Sequence, residues 1–424
     1  MSLRIHSLMG IQVLDSRGRP TVCARMTLSD GSVHKATVPS GASTGRHEAQ
    51  ELRDADSPFS EKYFGGSSVY LAVANINNII APKLIGCQPD LLTVDTTLAE
   101  LDGSTRHEIL GANATLAISL VCAIAQAHAQ QVTLARLFQP TGALTIPMPM
   151  VNILSGGAHA KGALDIQDVL VIAHGAQTIA EALSWISAIR ERASQAGAAR
   201  GFITNLIADE GGLGIPFSST DEACAFVTDC ITDVGLSLTS EVGLALDVAA
   251  TQFFDQGNYI SRSTGKVFSG DQWRDQIHSL LNKHPILSIE DPFAEDDWNQ
   301  WAQFSQGLHR PVQVLGDDLF TTQATRLAKG VHEKSANSIL IKPNQNGLVS
   351  KTHEVLLQAK AAGFTTVVSA RSGESEDSWL SDLAVGWNAG QIKVGSTHGS
   401  ERTAKWNRLL EIEATEDSVF SKPF

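Results

Sequence analysis

The stretch PILSIEDP, residues 285–292, is a short apolar run that ends in a carboxylate, Glu290, immediately before a turn that contains proline. The second half of the chain contains five more apolar runs that end in a charged residue: Val242–Asp247, Val312–Asp317, Ser338–Lys342, Thr366–Arg371 and Gln391–Lys393. The segments between consecutive runs are long enough for a helix and its turns. This alternation is typical of a (β/α) barrel, a fold that collects its chemical groups at the C-terminal ends of its strands.

The first 138 residues follow a different pattern. Alternation of apolar and polar residues predicts a three-stranded meander over Arg4–Leu14, Thr21–Leu28 and Ser32–Val38. Helical periodicity follows over Val69–Ile80, Leu91–Leu101 and the alanine-rich Asn113–Phe138. A Pro/Gly-rich stretch at residues 139–149 then marks a boundary. The sequence therefore predicts an α/β protein with an N-terminal α+β domain over residues 1–138 and a barrel domain over residues 139–424.

Composition excludes several classes of partner. The chain has 424 residues and a formal net charge of −13, and no block rich in Lys and Arg occurs, which argues against nucleic acid and anionic membrane as partners. Its five cysteines form no C-x-x-C pair and are odd in number, which favours reduced thiols in a cytosol-like compartment. No signal-peptide pattern and no apolar run of membrane-spanning length occurs. We therefore expect a soluble, cytoplasmic protein.

Three acids at strand ends, Asp247, Glu290 and Asp317, are candidate metal ligands. Three carboxylates that converge on one point cannot all ionise without a cation between them, and Mg²⁺ prefers such oxygen ligands. The alternative is that each acid merely caps the helix that follows its strand. The order of strands supports the metal site, because the next strand ends in a lysine.

Lys342 ends a strand of apolar residues, so its ammonium group is expected to be desolvated. Burial and nearby cations both disfavour the charged form and lower the pKa, which would make Lys342 a general base. The alternative is a structural salt bridge from Lys342 to one of the acids.

A possible acid and two anion-binding groups complete the set. Glu210 lies in the turn DEGG, residues 209–212, where close backbone approach would let it act as a general acid. Arg371 and Lys393 end the next two strands and are suited to bind phosphate or carboxylate.

Two loops rich in Gly and Ser are further candidates. Residues 155–162 carry His159, and residues 39–45 include Ser40. Loops of this kind can close over a phosphate through their backbone N–H groups, although a plain solvent loop is the simpler interpretation of either one taken alone.

In this order the motifs resemble those of the enolase family, the phosphopyruvate hydratases, from about Arg4 to Ser418. The matching motifs are DSRG (15–18), VPSGASTG (38–45), DEGG (209–212), SIEDPF (288–293), KPNQ (342–345), RSGE (371–374) and SER (400–402). The resemblance implies an N-terminal α+β capping domain and an enolase-type (β/α)8 barrel that departs from a regular TIM barrel in its opening strands and helices. It also implies homo-oligomers, usually dimers or octamers, and Mg²⁺ as the cofactor.

The resemblance also implies a reaction, the dehydration of 2-phosphoglycerate to phosphoenolpyruvate in glycolysis and gluconeogenesis. Lys342 then matches the base and Glu210 the acid. The family's high-affinity Mg²⁺ ligands are matched by Asp247, Glu290 and Asp317, and Ser40 matches a mobile-loop residue that helps to bind a second Mg²⁺. The substrate contacts are matched by His159, Gln167, Arg371, Ser372 and Lys393.

Three positions depart from the family pattern. Asp168 stands where the family has glutamate, Ala370 stands where it has histidine, and Leu348 replaces a small hydroxyl residue. Asp168 keeps a carboxylate among the substrate contacts with about 1.5 Å less reach, whereas Ala370 removes an imidazole near the phosphate. These changes leave three interpretations: an enolase, a diverged family enzyme that acts on a related phospho- or phosphono-acid, and a non-catalytic binding protein.

Overall fold

The computed structural model describes residues 2–42, 44–55, 64–238 and 240–424. Its first unit is a three-stranded antiparallel sheet with strands β1 (Ile5–Leu14), β2 (Pro20–Leu28) and β3 (Val33–Thr37) in that order. The predicted meander is therefore confirmed.

Helices follow this sheet. They are α1 (Tyr70–Asn75), α2 (Ala81–Leu84), α3 (Leu91–Asp102), α4 (Ala112–Ala129) and α5 (Leu134–Phe138), with a 3-10 turn at Phe64–Gly66 and a π-helical turn at Ile76–Ile80. The helix predicted over Asn113–Phe138 is wrong in its length, because the chain breaks between α4 and α5. Gln131 adopts a left-handed φ of 58°, and the Thr133 side chain accepts the N–H of Arg136 and so begins a new helix.

Helix α4 is long and apolar enough to cross a membrane by length and composition alone. In this structure 78% of it is buried, and it packs against β2 and β3. Core helices of globular proteins pass the same test, so α4 is the central helix of the N-terminal core.

The rest of the chain forms a closed eight-stranded barrel surrounded by helices. The order around the barrel is β5 (Met148–Ser155), β6 (Asp168–Ile172), β7 (Gly243–Asp247), β11 (Ile286–Glu290), β12 (Gln313–Gly316), β13 (Ser338–Ile341), β14 (Thr365–Ser369) and β15 (Gly390–Gly395). The helices are α6 (Ile179–Ala199), α7 (Thr220–Asp233), α8 (Gly270–Lys283), α9 (Trp298–Gln306), α10 (Ala324–Glu333), α11 (Pro343–Asn346), α12 (Val349–Ala361), α13 (Trp379–Gly386) and α14 (Ser400–Thr415).

The smaller elements lie outside the barrel. Strands β8 (Phe254–Asp255), β9 (Asn258–Ile260) and β10 (Val267–Ser269) form a short antiparallel sheet after a 3-10 turn at Ala250–Phe253. Strand β4 (Leu144–Ile146) pairs in parallel with β16 (Ser418–Phe420), which ties the last strand of the chain to the start of the barrel domain.

The opening of the barrel is irregular, as the resemblance implies. Strand β6 runs antiparallel to both of its neighbours, β5 and β7, whereas all other neighbouring strands of the barrel pair in parallel. Two helices, α6 and α7, then separate β6 from β7. The order is thus two strands, two helices and a strand, after which strands and helices alternate.

The strands deliver charged residues to one end of the barrel. Asp247 and Glu290 are the last residues of β7 and β11 and are paired in register, while Asp317 and Lys342 directly follow β12 and β13. The interior below this end is filled by an apolar cluster: Met148, Met150, Leu170, Ile172, Ala245, Leu315, Leu340 and Val367. The charged groups therefore lie above a packed apolar core.

Arg402 of α14 joins three of the segments around this end. It is fully buried and donates hydrogen bonds to the backbone carbonyls of Arg371 (2.6 Å), Val394 (3.0 Å), Asp209 (3.2 Å) and Ser372 (2.6 Å). The planar guanidinium thus fixes the loop after β14 and the end of β15 relative to the turn that carries Glu210.

We expect Arg402→Lys to destabilise the protein, because one ammonium group cannot satisfy carbonyls in three separate segments. The free energy of unfolding, measured by urea denaturation, should fall by roughly 2–4 kcal/mol. The control is Arg192→Lys on α6, where a half-exposed arginine pairs with a half-exposed Asp233 and the loss should stay under about 1 kcal/mol. Equal losses in the two variants would contradict the bracing role of Arg402.

Candidate active site

Lys393 bridges two of the candidate metal ligands. Its Nζ atom donates to Asp247 Oδ2 and to Glu290 Oε2, both at 2.7 Å, and all three side chains are buried. Burial acts to lower the pKa of Lys393, but the two carboxylates hold it well above its usual range. Lys393 is therefore an ammonium ion that neutralises part of the acidic cluster.

Lys342 is paired with the third acid. Its Nζ atom donates to Asp317 Oδ2, and the other oxygen of Asp317 accepts a hydrogen bond of 2.9 Å from Gln345. Burial acts to lower the pKa of Lys342, but the Asp317 carboxylate outweighs it and the pKa is raised. The expectation of a pKa that is lowered overall is therefore wrong while Asp317 stays paired with Lys342. The alternative of a salt bridge to one of the acids is what the structure shows.

The three acids remain short of positive charge. Burial and the Asp247 carboxylate raise the pKa of Glu290 well above its usual range, with a further contribution from Asp317. Glu290 Oε1 is buried and has no hydrogen-bond partner among the residues that the structure describes. Two ammonium groups face three carboxylates, so the residues present fit a hard divalent cation that takes oxygen ligands.

A second set of acids adjoins Asp317. Ligand oxygens of Asp291, Asp317 and Asp318 lie within 4.8 Å of one another. Asp291 accepts the backbone N–H groups of Asp317 (2.9 Å) and Asp318 (2.7 Å) and so fixes the turn after β12. This contact of Asp291 with the turn was not predicted from the sequence. The position of Asp291 directly after Glu290 is the one sequence feature that places it near the site.

His159 lies between two carboxylates. Its Nδ1 atom is 2.9 Å from Asp168 Oδ2, and its Nε2 atom is 3.4 Å from Glu210 Oε1. Burial alone would lower the pKa of His159, but Glu210 and Asp168 raise it to about 9. His159 is therefore an imidazolium ion at neutral pH.

The partners of His159 are fixed in turn. Asp168 accepts a hydrogen bond of 2.7 Å from Ser155 Oγ, and Glu210 accepts one of 3.2 Å from Asn152 Nδ2. Burial acts to raise the pKa of Glu210, but His159 and more distant cations outweigh it and the pKa is lowered. Glu210 is therefore ionised beside a protonated imidazole.

The turn that carries Glu210 depends on a glycine. Gly211 has a φ of +83°, and a Cβ atom at this position would lie 2.4 Å from the carbonyl oxygen of His398. No other residue fits there without moving the backbone. The DEGG motif thus needs glycine at position 211 for steric reasons, in addition to the carboxylate of Glu210 for its chemistry.

Gln167 extends the cluster toward the outer loops. Its Nε2 atom donates to Asp247 Oδ2 at 2.9 Å, and its Oε1 atom accepts a hydrogen bond of 2.6 Å from Gln252. The sequence analysis placed Gln167 among the substrate contacts, and the structure places it against a candidate metal ligand. Gln252 was missed, because it belongs to an unremarkable 3-10 turn.

Arg371 is oriented by an acid from the N-terminal domain. Its guanidinium group donates to both oxygens of Glu48, at 2.8 and 3.2 Å, and to Asn344 Oδ1 at 3.0 Å. Burial acts to lower the pKa of Arg371, but Glu48 raises it above its usual range. The sequence analysis missed Glu48, since nothing in the sequence relates two residues that are 323 positions apart.

The loop that contains Ser40 docks beside Arg371. The backbone of Ser40 pairs with that of Gly373 at 2.8 and 2.9 Å, and the N–H of Ala42 donates to Ser372 Oγ at 2.7 Å. The Ser40 hydroxyl donates to Glu51 at 3.2 Å. Ser43, which belongs to the same sequence motif, lies outside the described residues.

All three departures from the family pattern are buried, and two of them are apolar. Ala370 is buried, and its N–H donates to the carbonyl of Lys393 at 2.9 Å, so only a methyl group is present where the family has an imidazole. Leu348 packs into the hydrophobic core at the start of α12. Leu348 has no hydroxyl group that could cap this helix. The first N–H groups of α12 donate to other side chains instead: Val349 to Ser119 Oγ and Ser350 to Asp95 Oδ2, both at 2.9 Å.

The chain matches two family models along almost its whole length. Residues 5–138 match the model described as "Enolase, N-terminal domain", and residues 143–421 match the model described as "Enolase, C-terminal TIM barrel domain".

The pKa of about 9 for His159 can be tested by NMR spectroscopy. In ¹⁵N NMR spectra of the whole protein the His159 ring should stay protonated up to about pH 9, and in Asp168→Asn its pKa should fall by roughly 1–3 pH units because one of two flanking charges is lost. The His159→Gln variant identifies the resonance. A pKa near the ordinary value of about 6.5 in the unmodified protein would contradict this assignment.

Proposed function

Because the chain belongs to the enolase family, we propose that it is an Mg²⁺-dependent carbon–oxygen lyase that interconverts 2-phosphoglycerate and phosphoenolpyruvate. The observation that carries this proposal is the shortage of positive charge around Asp247, Glu290 and Asp317, combined with the orphaned oxygen of Glu290. A bound Mg²⁺ would make up this shortage and would supply the positive charge that ionisation of a carbon next to a carboxylate needs.

The metal would be held by Asp247, Glu290 and Asp317, and Ser40 would contribute to a second ion. Bound Mg²⁺ would stabilise the negative charge that develops on the substrate carboxylate. Lys393 donates hydrogen bonds to two of these acids. Its ammonium charge would also attract an anionic group of the substrate.

Lys342 would take the proton from the carbon next to the substrate carboxylate. Asp317 is the main influence that raises the pKa of Lys342, while burial and Arg371 lower it. With the charges of Asp317 and Glu290 engaged by a metal ion, burial, Arg371 and Lys393 would remain to lower the pKa of Lys342. Lys342 would then be a usable base at neutral pH.

Glu210 and His159 would serve the departing hydroxyl. Glu210 is ionised in this structure, and its Oε1 atom lies 3.4 Å from Nε2 of the His159 imidazolium, which can supply a proton. The hydroxyl leaves as water with one proton from this pair, while the proton from carbon stays on Lys342. Arg371, Ser372, Gln167 and Asp168 would position the anionic groups of the substrate.

A second candidate is favoured by one observation, the methyl group of Ala370 in a buried position where the family has an imidazole. A family enzyme that acts on a related phospho- or phosphono-acid would not need that imidazole. We further propose a cytoplasmic homo-oligomer with domains at residues 1–138 and 139–424 and a role in glycolysis or gluconeogenesis.

The first test is formation of phosphoenolpyruvate from 2-phosphoglycerate, followed by absorbance in the presence of Mg²⁺. We expect turnover, and Lys342→Ala should reduce kcat by roughly 10²–10⁴-fold because the base is lost. Lys351→Ala, which changes an exposed lysine on α12, is the matched control and should keep full activity. Turnover no higher than that of Lys342→Ala would reject this substrate and favour the second candidate or a protein that only binds.

The second test is stabilisation by the metal. At about 100 times its Kd, Mg²⁺ should raise the free energy of unfolding by about 2.7 kcal/mol, and EDTA should reverse the effect. Glu290→Gln should abolish most of this gain, whereas Asp275→Asn, at an exposed carboxylate on α8, should leave it intact. A gain that is the same in Glu290→Gln and in the unmodified protein would show that Mg²⁺ binds elsewhere.

A further inference from the structure

A large cavity adjoins the candidate active site. It has a volume of about 910 Å³ and lies between the segment 201–209, the loop that carries His159, and Arg19 and Ala42 of the N-terminal domain. None of the groups proposed for proton transfer or metal binding, apart from His159, lines it. The reaction proposed above therefore leaves most of this space unexplained.

The wall of the cavity is unusually apolar for an exposed segment. Ile203, Leu206 and Ile207 are 68%, 67% and 49% exposed, and Phe202 and Pro216 line the same space. Single exposed aliphatic side chains are common on protein surfaces, but a contiguous group of them beside a cavity is typical of a binding surface. We call the group formed by Phe202, Ile203, Leu206, Ile207 and Pro216 the apolar wall.

The cavity borders the site at two residues. His159 and Asp209 both line it, and His159 contacts Glu210, which follows Asp209 in the chain. In the proposed reaction Glu210 and His159 serve the carbon that loses its hydroxyl. A substituent on that carbon would lie on the His159 side of the site, which is the side that borders the cavity.

The charges around the cavity agree with an anionic ligand that has an apolar tail. Arg19, Lys161 and the imidazolium of His159 are cationic side chains of the lining, and Asp209 contributes an acidic one. An acidic headgroup is thus attracted to this side of the barrel, while the apolar wall offers nothing to a phosphate or a carboxylate.

We infer that the site takes a 2-phospho-3-hydroxy acid that carries an alkyl or aryl group on its hydroxyl-bearing carbon, and that the apolar wall binds this group. The inference rests on the proposed function. Lys342 takes the proton from C2, the C3 hydroxyl leaves as water with one proton from the His159–Glu210 pair, and a double bond forms between C2 and C3. The product is a phosphoenolpyruvate with an apolar substituent on C3.

The test measures the affinity of the Mg²⁺-loaded protein for phosphoenolpyruvate and for its 3-methyl, 3-propyl and 3-pentyl derivatives by calorimetry. Each added methylene should lower the Kd by about 2–4-fold until the cavity is filled. In Leu206→Ser this dependence on chain length should be flattened. The matched control is Leu92→Ser on α3, because Leu92 is also 67% exposed, and there the dependence should persist.

The failure of this inference differs from that of the proposed function. Measurable binding of phosphoenolpyruvate with no gain from longer chains, or an unchanged gain in Leu206→Ser, would overturn the inference alone. A shift of the oligomeric state in Leu206→Ser, with the gain from longer chains retained, would also overturn it by assigning the apolar wall to contacts between copies. If no compound of the series binds, the inference and the proposed function fall together.

Discussion

The ammonium group of Lys393, held between Asp247 and Glu290 at 2.7 Å from each, is the interaction on which the rest of the site depends. The barrel pairs Asp247 with Glu290 in register and thereby brings two buried carboxylates together above an apolar core. Buried like charges are costly unless a cation is hydrogen-bonded between them. Lys393 supplies that cation from the strand β15. The closed barrel is what brings β15 within reach of β7 and β11, and the ammonium group of Lys393 in turn offsets the charge of the two acids.

Much of this arrangement could be predicted, because a strand that ends in a charged residue leaves a local mark in the sequence. The six apolar runs lie in six barrel strands, and their terminal charges meet at one end. What failed depends on distant partners or on single torsion angles. The pairing of Arg371 with Glu48 joins two domains, the raised pKa of Lys342 depends on which carboxylate lies nearest, and the break before α5 depends on the φ of Gln131.

One departure from the family pattern acts on His159. The imidazole of His159 is buried and reaches Glu210, and the shorter Asp168 lies at hydrogen-bonding distance from its other nitrogen. A carboxylate that binds Nδ1 stabilises the imidazolium and fixes the ring. A protonated imidazole is therefore held in place next to the turn that carries Glu210.

The uncompensated acid also bears on whether this protein is an enzyme. A purely structural ion pair in a core can be replaced by apolar residues at no cost to stability, and often with a gain. Here the site has three carboxylates against two lysines, and within the described part of the chain Glu290 Oε1 is buried without a partner. Such a group destabilises the protein unless a ligand completes it, so a scaffold that only bound other macromolecules at its surface would have no physical need for it. The cost is understandable where a cation and an anionic substrate are gathered at the same place.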